Sequence, residues 1–444
     1  MCFFIRLARG RVLSLLFPFL FLYPVAAAQG PDSKSSPLLL DEKYKALETL
    51  SKVFHYLEKM YVDEEKTTIP QQVEYAIDGI IRNLDPHTQH MPKKAFEQLT
   101  LDARGQFGGV GIVVTHDKNR LIILSPMDDS PAMKAGIKAG DEILSIEDEI
   151  SNAGHVKKGK GEIMELMRGP PGSSITLTIK RADTEKPLIF KLTREIIKIS
   201  SSQMETLSEG IHLIRVSHFQ EKTSSEILKF LEDLEKKKVP IRGIILDLRD
   251  NPGGLLDQSV KTADLFLESG LIVSTVGRSQ DKIEREFAHK VPSFINFPMI
   301  VLINRGSASA SEIVAGALQD HKRALIMGTP SFGKGSVQTL IPLPDGSGLK
   351  ITVATYYTPS DRSIQAKGIQ PDIVVSKRFT ENPETDNKSE ADLERHLKSE
   401  DLSDMGQKGG LLGDLKNWSE SNRTDHQLIT AYTYLSGWGL FQKN

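Results

Sequence analysis

Two short runs hold the residue types that hydrolytic chemistry uses: Gly306-Ser307-Ala308-Ser309-Ala310-Ser311-Glu312, and Ser331-Phe332-Gly333-Lys334-Gly335-Ser336-Val337-Gln338. The first follows a strand-like stretch, Met299 to Asn304, and opens a helical pattern to about Asp320. The second follows another strand-like stretch, Arg323 to Met327. Small residues allow a tight turn from strand into helix. They leave a hydroxyl at the helix start, where free N–H groups and the positive dipole end favour developing negative charge. Such a hydroxyl attacks only when a base takes its proton, and Lys334, between two glycines, is the candidate base. Free lysine titrates near ~10.4, so an uncharged amine at neutral pH requires a depression of roughly three units, about 4 kcal/mol. Burial against apolar neighbours such as Phe332 is expected to supply it. Gln338 offers the lysine an uncharged hydrogen-bond partner.

Two other motifs overlap the same segment. Gly328-Thr329-Pro330-Ser331-Phe332-Gly333-Lys334 spells most of a phosphate-binding loop, but Gly335 stands where Ser or Thr is required, and Val337 to Pro342 reads as strand rather than helix. Ser331-Phe332-Gly333-Lys334 fits the Ser-x-x-Lys of penicillin-binding proteins, yet that motif needs a helix, which Gly333 and Gly335 discourage. The two runs together resemble the signature of the C-terminal processing (tail-specific) serine peptidases. That resemblance implies Ser309 as nucleophile, Lys334 as general base and Gln338 as the residue orienting the lysine, with Ser307 and Ser311 as neighbours. It implies no cofactor and no metal.

The elements that must position these groups can be read along the chain. Met1 to Arg11 contains three arginines and no acid, Val12 to Val25 is apolar, and Ala26-Ala27-Ala28 follows. This is the layout of a cleavable secretory signal with cleavage after Ala28, so an exported protein is expected, periplasmic or at the periplasmic face of the inner membrane. Removing three arginines leaves 53 basic against 58 acidic residues, a formal net charge of −5, which does not suggest nucleic acid. Cys2, the only cysteine, leaves with the signal, which excludes disulfides and thiol catalysis from the mature chain.

From Leu40 to Tyr61 apolar residues recur at helical spacing, and a second helix is expected from Gln71 to Leu84, stopping at Asp85-Pro86-His87. His87 is read as structural. Phe107 to Val114 is a glycine-rich loop opening a strand; further strands (Leu121 to Ser125, Glu142 to Ile146, Ser174 to Arg181) frame a helix from Pro131 to Ala135. Successive N–H groups aimed into one cavity capture a carboxylate, and a strand edge beside them pairs with an extended peptide. Residues 102–182 resemble a PDZ domain, most specifically in the run 135–144. The resemblance implies a carboxylate loop of Gly109, Val110, Gly111 and Ile112, and puts Arg168 at the end of the helix flanking the peptide groove. Arg168 is expected to couple docking of a peptide to activity.

Beyond residue 183, strands and helices alternate around the apolar run Arg242 to Arg249, a strand expected to be buried on both faces, which ends in Asp250-Asn251-Pro252-Gly253-Gly254. In the resembling family this motif contributes one oxyanion N–H, with Gly253 favoured here, and Ala310 the other. Thr358 to Gln365 fits the family except for Asp361 in place of a common Gly; Asp tolerates left-handed turns. Thr380 to Gly410 reads as a linker with a short helix at Glu390 to Leu397, and Asp425 to Leu435 as an amphipathic interface helix.

The expected architecture is therefore a multidomain α/β protein. It has a signal (1–28), a helical region (29–101), a PDZ domain (102–182), a ClpP/crotonase-like protease core (183–378), and a C-terminal linker and helix (379–444). The expected activity is Ser/Lys endopeptidase cleavage of proteins with exposed apolar C-terminal tails. The sequence leaves open an adaptor lipoprotein, and implies a homo-oligomer through the terminal helices. The competing reading is a catalytically silent tail-binding or chaperone-like module.

Overall fold

The computed structural model describes residues 37–117, 120–148, 166–208, 210–278, 283–290, 294–376 and 418–441. The expected signal, the linker and the helix near Glu390 to Leu397 lie outside them. The chain divides into two units, 1–80 and 81–444.

The first unit carries α1 (Pro37–Met60) and all but the end of α2 (Ile69–Ile81), where the apolar period expects helices. Phe54, Leu57, Tyr61 and Tyr75 line one pocket between them. Gln72 Nε2 donates to the Thr67 carbonyl, closing the connection. The second helix ends three residues before the expected Leu84, ahead of the Asp85-Pro86 turn.

The second unit opens with β1 (Gln89–Met91) and α3 (Lys93–Ala103). The next elements are β2 (Gln106–Gly109), β3 (Ile112–Asp117), β4 (Arg120–Pro126), α4 (Pro131–Lys134), β5 (Glu142–Asp148), β6 (Ser174–Lys180) and β7 (Leu188–Thr193). Strands β3 to β7 form an antiparallel sheet in that order, so among the described residues β3 stands at its edge. Alternate residues Ile175, Leu177 and Ile179 of β6 are buried with Leu121, Ile123 and Ile143, the period-two pattern of a sheet with one face on a core.

The remaining elements are β8 (Glu195–Lys198), β9 (Ser202–Ser208), β10 (Ile211–Val216), α5 (Thr223–Lys236), β11 (Gly243–Asp247), α6 (Leu256–Asp264), β12 (Gly270–Gly277) and β13 (Ile283–Ala288). They continue as β14 (Met299–Ile303), α7 (Ala310–Asp320), β15 (Leu325–Gly328), β16 (Ser336–Pro342), β17 (Gly348–Tyr357), β18 (Ile373–Val374), α8 (Glu420–Arg423) and α9 (His426–Phe441). A six-stranded sheet runs β9-β10-β11-β14-β15-β18, parallel except for β9. A largely parallel sheet must be covered on both faces, and its central strands β11 and β14 are buried throughout. Ile244, Leu246, Val301 and Ile303 pack with Ile227, Leu231, Val314 and Leu318 of the helical layer. Ile245, Ile300 and Leu302 point the other way, onto Trp418, Leu428, Tyr432 and Leu435. Leu428, Tyr432 and Leu435 of the final helix, expected to join subunits, thus cover the chain's own sheet, while its Tyr434 and Trp438 are half exposed.

The second large sheet of this core is antiparallel, β1-β17-β12-β13 with β16 on the other edge of β17. The stretch before residue 102 is therefore not wholly helical as expected, since β1 supplies backbone partners to β17 at Gly348 to Lys350. The ribbon β2-β8 pairs 106–109 with 195–198, so the PDZ stretch and the protease core interleave there.

Arg249 holds the C-terminal cover in place. Its guanidinium donates to both oxygens of Asp247, at the end of β11, to both oxygens of Asp425, and to Gln427 Oε1. Arg249→Ala leaves two carboxylates short of their shared cation. It is expected to cost about 3–5 kcal/mol in urea unfolding; an unchanged midpoint would refute this role.

Candidate active site

The turn into α7 separates the three candidate serines. Ser307 and Ser311 are fully buried and spend their hydroxyls on main-chain carbonyls: Ser307 Oγ donates to Leu248 O at 2.7 Å and Ser311 Oγ to Asn251 O at 2.9 Å. Ser309 is half-buried and lines a cleft of about 890 Å³ together with Ala310, Lys334, Gln338, Gly254 and Arg168. Its backbone is at φ +56°, ψ −116°, a conformation that costs a non-glycine residue roughly 1–3 kcal/mol and persists only when its surroundings enforce it.

The enforcing group is Glu312. This carboxylate, with no exposure, accepts from Ser309 N–H at 2.7 Å, Ser331 Oγ at 2.6 Å, Gly333 N–H at 2.6 Å and Lys334 N–H at 2.9 Å. One buried side chain therefore holds the backbone of the candidate nucleophile against the loop of the candidate base. Burial pushes the Glu312 carboxyl up while those four donors oppose it. Ser331 is itself buried, donating to Glu312 and accepting from Ile369 N–H, which removes it as a nucleophile. Residues 336–342 form strand β16, as the rejection of the phosphate-loop reading requires.

Lys334 is half-buried, and its carbonyl accepts from the Tyr356 hydroxyl. Burial drives its amine below the usual lysine range, the nearby Lys350 charge adds to this, and Glu312 opposes. Phe332, the apolar neighbour expected to supply that burial, is 58% exposed; the cleft walls and a like charge do it instead. Gln338 Nε2 donates to Ser336 Oγ at 2.8 Å and, at 3.5 Å, to Thr352 Oγ1. Among the described residues no hydrogen bond joins Ser309, Lys334 and Gln338 to one another.

The glycine pair after β11 approaches the same turn. A Cβ on Gly253 would lie 2.8 Å from Ser309 Cβ, and one on Gly254 2.2 Å from Phe219 O, so both positions exclude a side chain. The Gly253 N–H, the favoured oxyanion donor, is committed to Asn251 Oδ1 at 2.9 Å. Gly254, not Gly253, lines the cleft. Ala310, the first helical residue of α7, has an N–H with no intrahelical partner.

In the PDZ stretch the carbonyls of Val110 and Gly111 accept from Ala132 N–H and Met127 N–H, fixing the loop beside the β3 edge. Gly111 is at φ +71°, and a Cβ there would meet Ser130 Cβ at 2.3 Å. None of Gly109, Val110, Gly111 and Ile112 lines the cleft, whereas Gln106, Phe107 and Arg168 do. The Arg168 guanidinium lies 4.9 Å from the Phe107 ring centroid, and its backbone bridges Gly109. Asp361 is at φ +58°, the left-handed turn its replacement of glycine requires.

Sequence reasoning passed over Glu312, although Ser309-x-x-Glu312 has the spacing of a helix capping box. It also missed Asn251 and the Asp85–Thr352 contact, the latter between residues 267 apart with no local signal.

A PDZ-bearing α/β core with such a turn defines a serine peptidase. A model of peptidase family S41 matches residues 210–375 and a PDZ-domain model residues 122–181. The chain is 42% identical over 402 residues to a carboxy-terminal-processing protease of Bartonella bacilliformis, covering 89% of each. It is 35% identical over 344 residues to carboxy-terminal processing protease CtpB of Bacillus subtilis, covering 76% of this chain and 69% of that one. A solved photosystem II D1 C-terminal processing protease is 27% identical with a TM-score of 0.44, spanning 74% of this chain and 92% of its own. The chain belongs to the carboxy-terminal-processing proteases of peptidase family S41.

Glu312→Gln keeps the volume but turns an NH₂ toward N–H donors. It is expected to destabilise by about 2–4 kcal/mol in thermal unfolding and to lower kcat about a hundredfold. A variant unchanged in both would show that the carboxylate does not hold the two loops.

Proposed function

We propose that this peptidase is an exported endopeptidase that captures C-terminal tails on its PDZ domain and cleaves them with a Ser309/Lys334 dyad. The observation that carries the reading is that Ser309, unlike the two buried serines beside it, lines the cleft, which it shares with a half-buried lysine whose amine is pushed below the usual range by burial.

In this scheme the uncharged Lys334 amine takes the proton of Ser309 Oγ as that oxygen attacks the scissile carbonyl carbon. The N–H groups of Ala310 and Gly254 receive the oxyanion, Gly253 being engaged by Asn251. Lys334 then gives its proton to the departing amine nitrogen. Water, deprotonated by Lys334 in turn, splits the acyl ester and regenerates the serine.

The edge position of β3 among the described strands and the loop Gly109 to Ile112 suit an extended peptide ending in a carboxylate. Arg168, between that loop and the cleft, suits the coupling of docking to cleavage. Export rests on the signal-like residues 1–28; among the described residues no helix is long and apolar enough to cross a membrane. Self-association belongs to the same reading, supported by the exposed Tyr44, Leu47, Tyr56 and Met60 of α1.

Two measurements test the scheme. Purified protein is expected to cleave a peptide with an apolar C-terminal tail, and both Ser309→Ala and Lys334→Ala to lose at least about 10³-fold in kcat; cleavage by Ser309→Ala at the parental rate would sink it. Because only the uncharged amine accepts a proton, the rate is expected to climb as pH rises through the Lys334 pKa. Lys350→Gln removes a charge that depresses that pKa, so the rising limb is expected to move to higher pH. A limb that stays put or moves lower would assign the titration to another group.

A further inference from the structure

Strand β17 has an interruption along one edge. β1 pairs with Gly348 to Lys350 and β12 with Ala354 to Tyr357, so Thr352 falls between the two partners. A side chain fills the gap, since Thr352 N–H donates to Thr88 Oγ1 at 3.2 Å. The Thr88 hydroxyl proton goes to Asp85 Oδ2 at 2.6 Å, and the Thr352 hydroxyl proton to Asp85 Oδ1 at 3.1 Å. Asp85 also accepts from His87 N–H at 2.8 Å and Thr88 N–H at 3.0 Å. Burial pushes the Asp85 carboxyl up, but these bonds outweigh it and hold the group below its usual range, so at neutral pH it only accepts.

The direction of each bond then follows from one carboxylate. A hydroxyl has one proton, and Asp85 takes that of Thr352. Thr352 Oγ1 therefore offers only lone pairs to Gln338, its cross-strand partner on β16. The Gln338 amide must turn its NH₂ that way, where it meets both Thr352 Oγ1 and Ser336 Oγ. The acceptor Oε1 is then the end that these two hydroxyls do not engage, and Gln338 and Lys334 line the same cleft. An uncharged amine has one lone pair and two N–H bonds; an acceptor holding one N–H aims the lone pair elsewhere.

We propose that Asp85 and Thr88, acting through Thr352, are positioning residues that set the amide orientation of Gln338, presenting Oε1 to the Lys334 amine so that its lone pair faces Ser309. This rests on the dyad reading above and extends it to a turn that lies more than two hundred residues earlier in the chain than the catalytic loop. His87, read from sequence as structural, belongs to the same turn. Burial holds its imidazole below the usual range.

The test uses the full chain with Thr88→Val, Asp85→Asn and Thr352→Val, and with Thr88→Ser and Thr352→Ser as conservative controls. Each loss variant is expected to lower kcat on a tailed peptide about tenfold with KM unchanged. Labelling of Ser309 by a fluorophosphonate should slow in step, and the serine variants should retain the parental rate. Deuterium uptake at Thr352 is expected to rise in Thr88→Val. Folded Thr88→Val and Thr352→Val enzymes with parental kcat would overturn the proposal, as would an equal loss in the serine controls. If the parental protein shows no Ser309-dependent cleavage, the dyad reading fails instead. Uptake then still decides the link, unchanged protection of Thr352 in Thr88→Val overturning it.

Discussion

A single buried carboxylate organises the candidate active site. Glu312 receives one hydrogen bond from the turn that carries Ser309 and three from the loop that carries Lys334. An isolated ionised carboxylate without solvent is costly, and this one is tolerated because four donors converge on it. The same convergence removes the freedom of both loops. It keeps Ser309 at the cleft in a backbone conformation that serine rarely adopts, while Ser307 and Ser311 are buried on main-chain carbonyls. Asn251 does for the glycine loop what Glu312 does for the lysine loop. Its side chain bridges Val216 O and Gly253 N–H, and its carbonyl accepts from Ala308 N–H and Ser311 Oγ.

These loops emerge from two sheets of different character. The six-stranded sheet, buried on both faces, brings the ends of β11 and β14 side by side, so the glycine pair and the serine turn meet where parallel strands finish. That is where an open α/β sheet leaves a crevice. The antiparallel sheet supplies the opposite wall, with Gln338, Lys350 and Tyr356 on β16 and β17. Because β1 and the Asp85–Thr88 turn close one edge of β17, a segment from before the PDZ stretch becomes part of the sheet that carries that wall.

The PDZ stretch enters the same cleft by a different route. The β2-β8 ribbon anchors it to the core, and Phe107 and Arg168 reach the cavity that holds Ser309, while the loop Gly109 to Ile112 stays outside. The loop beside the β3 edge and the cleft are thus separate surfaces, and the Arg168–Phe107 cation–π pair lies on the cleft side, with Arg168 bridged by its backbone to Gly109.

Much of this was legible in the chain itself. Period-two burial in β6, the unbroken apolar runs of β11 and β14, and small residues at the turn into α7 all express local rules that a short window satisfies alone. The family motifs then distinguished Ser309 from its neighbours, for which composition had no argument. Tertiary structure decided what depends on partners distant in sequence. It consumed the Gly253 N–H and left Gly254 at the cleft. It exposed Phe332 and replaced its expected effect on Lys334 with burial by the cleft walls and the charge of Lys350. It also laid α9 on its own sheet and brought Asp85 to Thr352. The reason is physical: helices and strands follow from side-chain periodicity along a few residues, whereas donor–acceptor pairing, exposure and charge environment are set by whatever the closed chain packs against each group.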